Sequence, residues 1–163
     1  MGARLWSYVT RAIGTLSAGA TMQSDSMLIS RLRLHEGVKL KPYLDTVNKL
    51  TIGCGRNLTD CGISEDEVSY LLQNDIAKVA AQLRPHPWFK ALDPVRQDAC
   101  IELGFNLGVP GFLGFHDTIG ALAAKQYDLA TTHLTDSKWA KQVGSARVTD
   151  ICYRLRTGTY PPA

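Results

Sequence analysis

Glu36, Asp45 and Thr51 fall within a stretch of twenty residues, Glu36 to Gly55. They are types that hydrolysis of a glycosidic bond would use. One carboxylic acid protonates the departing oxygen, and a second carboxylate activates water or stabilises positive charge. Glu36 is the candidate acid; to act near neutral pH its pKa has to lie above the free value of about 4.3, through partial burial or a neighbouring negative charge. Asp45 is the candidate second carboxylate, and the Thr51 hydroxyl can orient the nucleophilic water. Each residue also has a plain reading on its own: Glu36 as a surface acid at a helix end, Asp45 as a turn residue, Thr51 as a strand former. The spaced triplet is what points to chemistry.

The flanking residues predict how the three are held. Leu28, Ile29, Leu32 and Leu34 give a helix over Met27–His35, and Gly37 stops it just past Glu36. The Tyr-, Thr-, Ile- and Leu-rich run that follows is strand-like, with Asn48-Lys49 as the turn of a hairpin. Asp45 then lies on one arm and Thr51 on the other, a spacing that leaves the distance between the two carboxylates open. Gly53 and Gly55 leave the second arm's backbone bare, so a ligand can approach it closely, and Gly53 is a candidate substrate contact.

Farther along, Arg56–Gly62 reads as a polar loop. Ser64-Glu-Asp-Glu67 reads as a capping box that starts a helix over about Ser64–Arg84, stopped by Pro85 and Pro87. Asp93-Pro94 starts another, buried helix that ends at Gly108. Pro110-Gly111 reads as a turn, with Phe112 and Phe115 as core anchors. Further helices are expected at about Asp117–Lys125, Tyr127–Thr135 and Ala146–Arg156, with Gly158 ending the last. The fold class is α+β, mainly α, with one small sheet and no internal repeat.

The motif Glu36-Gly-x-x-Leu-Lys-x-Tyr-x-Asp-Thr, followed by Thr51-Ile-Gly-x-Gly, resembles the phage-type lysozymes, and the spacing from Glu to Asp to Thr matches without a gap. The blocks Leu92-Asp-Pro-Val-Arg96, Phe105-Asn-Leu-Gly108, Gly114-Phe115, Ser137-Lys-Trp139 and Arg156-Thr-Gly-Thr159 fall in the family's order. The resemblance therefore covers about Met27 to the C-terminus.

It implies a lysozyme-like domain over 27–163: a hairpin lobe at about 36–63, a linking helix at about 64–84, and a helical lobe at about 85–163 joined by the N-terminal helix. It further implies an inverting muramidase that cuts the β-1,4 bond between N-acetylmuramic acid and N-acetylglucosamine without metal or cofactor, serving as a phage endolysin. The connection from sheet to linking helix is shorter than the family's usual one. By the same resemblance Phe105 and Asn106 line the cleft floor, where the Asn106 amide would bind N-acetyl groups or satisfy backbone at the helix end. Arg147 aligns with an arginine that pairs with the catalytic glutamate, although the chain between Trp139 and Arg147 is one residue longer than the family pattern. Trp139 is expected to pack the helical core. Arg56 stands where the best-known member has a non-catalytic histidine.

The totals are those of an ordinary globular chain, with 163 residues, 45% apolar and 20% charged content and a formal net charge of +3. The expected partner is bacterial peptidoglycan, not nucleic acid, and a monomer is expected. Cys54, Cys61, Cys100 and Cys152 show no metal-ligand spacing with one another or with histidine. Cys100 and Cys152 read as buried free thiols. Cys54 and Cys61 flank the candidate site, and a redox-controlled pair there is implied only by exported relatives that disulfides hold inactive. Residues 1–26 precede the expected domain and admit three readings: a weak signal or signal-anchor, a disordered extension, or a short helix packed on the domain. Their apolar stretch is too short for stable membrane insertion. The protein is expected in the host cytoplasm until lysis, with its action in the periplasm. Two rival functions remain at this point, a hydrolase of chitin-like polymers and a non-catalytic cell-wall binding protein on the same scaffold.

Overall fold

The computed structural model describes residues 18–162, which fall into two compact units, one ending at Ser64 and one beginning at Glu65. The expectations for residues 1–17 lie outside the described residues.

The first unit consists of helix α1 (Ala18–Glu36), strands β1 (Lys39–Leu44), β2 (Leu50–Gly53) and β3 (Arg56–Asn57), and helix α2 (Leu58–Cys61). The helix starts before the expected Met27 and ends on Glu36. Gly37 then takes φ +69°, a left-handed turn that favours glycine and leads the chain into β1. The sheet is antiparallel in the order β1-β2-β3. Tyr43 faces Thr51 and Leu44 faces Leu50, whereas between Lys39 and Tyr43 the register slips, so that four residues of β1 are spent against two of β2.

The polar loop expected over Arg56–Gly62 is instead a strand and a helical turn. Asn57 ends β3 and caps α2, its Oδ1 accepting from the Asp60 N–H at 3.0 Å. Asparagine is a favoured N-cap because its side chain satisfies a backbone donor that the helix itself leaves unpaired.

The second unit is helical: α3 (Glu65–Leu83), α4 (Pro87–Lys90), α5 (Pro94–Leu107), α6 (Val109–Leu113), α7 (His116–Ala123), α8 (Tyr127–Thr135), α9 (Lys138–Gln142) and α10 (Ser145–Thr157). Its core gathers Leu83, Leu103, Phe112, Leu122, Leu134, Ile151 and Leu155, all fully buried, with Phe115 packed at the edge. Asp93 caps α5 through the Arg96 N–H at 3.1 Å, and Pro94 opens the helix where a missing N–H costs nothing.

The expected turn at Pro110-Gly111 is helix α6. Gly108, at φ +72°, makes the reversal before it, and Pro110 sits in its first turn. Helices α4 and α9 were not anticipated either. Both are short: α4 has Pro87 in its first turn and buries Phe89, and α9 is capped by Ser137 and buries Trp139.

Arg96 ties α5 to the end of α10. Its Nε donates to the Leu155 carbonyl at 2.7 Å and its Nη2 to the Arg156 carbonyl at 2.8 Å. Its Nη1 pairs with Asp93 at 2.5 Å, and its guanidinium lies 3.6 Å over the Tyr127 ring. These carbonyls belong to the last turn of α10 and have no intrahelical partner, so the arginine caps the helix from a neighbouring element.

All four cysteines are free thiols, Cys54 and Cys61 exposed and Cys100 and Cys152 buried as expected. Burial pushes the Cys100 thiol far above its ordinary pKa, and nearby Asp93 adds to the shift. No helix among the described residues is long and apolar enough to cross a membrane.

Candidate active site

Glu36 is the last residue of α1 and is exposed. Its carboxylate lies against the turn between β2 and β3: a Cβ built on Gly55 would sit 4.0 Å from Glu36 Oε2. That contact would be ordinary, so glycine is required at position 55 by its φ of +83° and not by crowding. Gly53 also has a positive φ, +67°, with nothing within 4 Å of where a Cβ would stand. The backbone is therefore bare at both glycines.

Asp45 stands at the first position of the hairpin turn, just past the end of β1, rather than within the arm. Its Oδ1 accepts from the Val47 N–H at 3.0 Å and from the Lys49 N–H at 2.8 Å. The carboxylate thus shapes the turn with one oxygen, as an aspartate at a turn start commonly does. Asn48 takes the left-handed φ of +62° that this turn needs and asparagine tolerates. Thr51 is buried in β2, and its hydroxyl donates to the Lys49 carbonyl at 3.2 Å. Since that bond spends the proton, the oxygen's lone pairs remain to accept from a water.

The backbone of Lys49 therefore touches both Asp45 and Thr51. Its carbonyl also accepts from the Asp45 N–H at 3.0 Å. Its side chain pairs with Asp60 at 2.9 Å, and Asp60 in turn accepts from Asn57 Nδ2 at 2.9 Å. Nothing in the side-chain pattern singles out Lys49, because its contacts to the two site residues run through its main chain. Arg56, in the histidine position, donates from Nε to the Gly62 carbonyl at 2.9 Å and so ties the end of α2.

In the helical unit, Phe105 and Asn106 lie exposed near the end of α5. The Asn106 Oδ1 accepts from the indole N–H of buried Trp139 at 2.7 Å. This fixes which way the amide faces and leaves its Nδ2 to donate outward. Trp139 packs the core, as expected. Arg147 has its Nε 3.8 Å from Glu102. Glu102 also pairs with Arg154, which reaches Asp150 at 2.5 Å as well. Burial works against the Arg154 charge, but hydrogen bonds to Glu102 and Asp150 outweigh it and hold its pKa above the ordinary arginine value. A hollow of about 470 Å³ among His116, Asp117, Thr118, His133, Asp136 and Ser137 contains none of the expected site residues. Among the described residues no group of three or more His, Cys, Asp or Glu side chains is placed to hold a metal ion.

Known proteins resemble this chain over much of its length. The chain is 28% identical over 151 residues to the pre-baseplate central spike protein Gp5 of Enterobacteria phage T4, a match that covers 74% of this chain and 26% of that protein. The chain thus spans about a quarter of the spike protein's length. It is 24% identical over 164 residues to a probable T4-type lysozyme 1 of Dictyostelium discoideum, covering 82% of this chain and 96% of the relative. The family profile described as phage lysozyme matches residues 33–156, a span that contains Glu36, the hairpin with Asp45 and Thr51, and the helical unit up to the last turn of α10. The chain belongs to the phage lysozyme family.

Proposed function

We propose that this protein is a peptidoglycan hydrolase, a muramidase that cuts the β-1,4 bond between N-acetylmuramic acid and N-acetylglucosamine and serves as a phage endolysin in host lysis. Glu36 is the general acid. Asp45 and Thr51 position the water that attacks the opposite face of the sugar, and the configuration at the anomeric carbon is inverted. Gly53 lets the glycan approach the hairpin, and by the family resemblance Phe105 and Asn106 are candidate glycan contacts. The observation that carries this reading is the hairpin geometry: Asp45 and Thr51 share the Lys49 backbone as partner, and the Glu36 carboxylate lies over Gly55 in the same unit.

The test compares wild type with Glu36→Gln on Gram-negative cells whose outer membrane has been permeabilised, following turbidity and new reducing ends together. Loss of a general acid costs about 10²–10⁴-fold, so the variant is expected to release almost no reducing sugar. Its melting temperature should stay unchanged or rise, as active-site carboxylates often cost stability. A variant as active as wild type would refute the assignment of Glu36. A folded wild type that produces no reducing ends would turn the reading toward a wall-binding protein.

A further inference from the structure

The hairpin turn that carries Asp45 is fastened to the rest of its unit by side chains from one short helix. Lys49 Nζ pairs with Asp60 Oδ1 at 2.9 Å, and the neighbouring Leu50 N–H donates to Thr59 Oγ1 at 2.9 Å. Both partners belong to α2, and both bonds land at the start of β2, where the turn ends. Asn57 aims the brace: its Oδ1 caps α2 at the Asp60 N–H, and its Nδ2 holds the second carboxylate oxygen of Asp60. Asp60 thus has one oxygen on Asn57 and the other on Lys49. From Lys49 the main chain reaches the two residues assigned to the water, through N–H to Asp45 Oδ1 and through the carbonyl from Thr51 Oγ1.

We propose that Lys49 and Asp60 are positioning residues for hydrolysis: their ion pair braces the turn so that the Asp45 carboxylate and the Thr51 hydroxyl stay in register around the nucleophilic water. The proposal rests on the muramidase reading above and adds residues to it. The physical ground is a disproportion between stability and geometry. The side chains of Lys49 and Asp60 are 39% and 53% exposed, and an exposed ion pair contributes little to folding. Water attack is a different matter, because a misplacement of about 1 Å at the reacting groups can cost on the order of a hundredfold in rate. A pair that barely affects folding is therefore expected to weigh on turnover.

The experiment measures kcat and KM on solubilised, uncrosslinked glycan chains, together with melting temperature, for wild type, Lys49→Met, Asp60→Ala, the double variant, Lys49→Arg and Glu36→Gln. Lys49→Met and Asp60→Ala are each expected to lower kcat about tenfold, with KM within about twofold and melting within about 3 °C of wild type. The double variant should be no slower than either single one, since both remove the same brace. Lys49→Arg keeps the charge and reach and should stay within about twofold of wild type. Singles that turn over at the wild-type rate, losses that multiply in the double variant, or losses that follow the melting temperature would each overturn the proposal. If wild type fails to hydrolyse, or Glu36→Gln matches it, the muramidase reading fails instead, and the two failures are told apart within one data set.

Discussion

Gly158, in the Arg156-Thr-Gly-Thr159 block, offers a sharp test of how the helical unit is held together. It ends α10 with φ +71°, where a side chain costs about 1 kcal/mol or more in backbone strain. It also lies against the arginine that caps the same helix. A Cβ at this position would stand 2.4 Å from Arg96 Nη1 and 3.1 Å from its Cζ. A flexible side chain normally swings away from such a clash, but Arg96 is held by Leu155, Arg156, Asp93 and the Tyr127 ring. Giving up one hydrogen bond of a charged group costs about 1.5–3 kcal/mol. Strain and displacement together predict that Gly158→Ala destabilises by about 3 kcal/mol, a fall in melting temperature of roughly 6–12 °C for a chain of this length. Thermal unfolding by circular dichroism, checked by urea titration, measures it. In an Arg96→Ala background nothing remains to be displaced, so the same change should cost only the strain, about 1 kcal/mol. A melting temperature within about 2 °C of wild type, or an equal cost in both backgrounds, would refute the clamp.

Three other outcomes are expected. Burial tends to raise the Asp93 carboxyl, but the Arg96 side-chain and backbone hydrogen bonds and the Arg96 charge outweigh it and hold the pKa below the ordinary 3.8. A depressed folded-state pKa means that its stabilisation is present above 3.8 and is lost as pH falls through the lower, folded value. Asp93→Asn should therefore flatten the stability–pH curve in that acid window, and an unchanged slope there would count against the pair. Trp139→Phe removes the donor that orients Asn106, so on the muramidase reading KM should rise roughly fivefold, about 1 kcal/mol. Asn106→Ala should do the same, and the double variant no more; additive effects would mean that the two act separately. With a thiol reagent on the native protein, exposed Cys54 and Cys61 should react at once and buried Cys100 and Cys152 only on unfolding. Four fast thiols would contradict the packing.

Much of the fold was legible because its signals are local. Gly37 and Gly158 mark helix ends through their positive φ, Asp93-Pro94 marks a start, and α8 runs over Tyr127–Thr135, the bounds expected. The misreadings share a cause. Pro110-Gly111 has the composition of a turn, yet Pro is equally at home in a helix's first turn, and Phe112 is buried in α6. In Arg56–Gly62 the polar composition suggested a loop. The available signal was Asn57 three residues before Asp60, a cap followed by an acid in the first turn, which marks a helix even one turn long.

The site divides along the same line. Glu36, Asp45 and Thr51, the residues of the proposed site, were visible because such side-chain types can carry hydrolysis, and side-chain types are what a sequence displays. Lys49 was not, since an N–H and a carbonyl belong to every residue other than proline, and which of them meets a catalytic group depends on the register of the strands. Here the register that sets Tyr43 opposite Thr51 and Leu44 opposite Leu50 brings the Lys49 main chain between Asp45 and Thr51. A shift of one residue in β2 would turn Thr51 to the other face and withdraw the Lys49 N–H from Asp45. Whatever fixes that register thus governs together the two groups proposed to position the water. Beside the strand pairing itself, the side-chain interactions placed to fix it include the bonds from α2, Lys49 to Asp60 and Leu50 to Thr59. A helix of four residues, too short to contribute much to stability by itself, is therefore where changes in sequence should alter turnover with little trace in melting temperature.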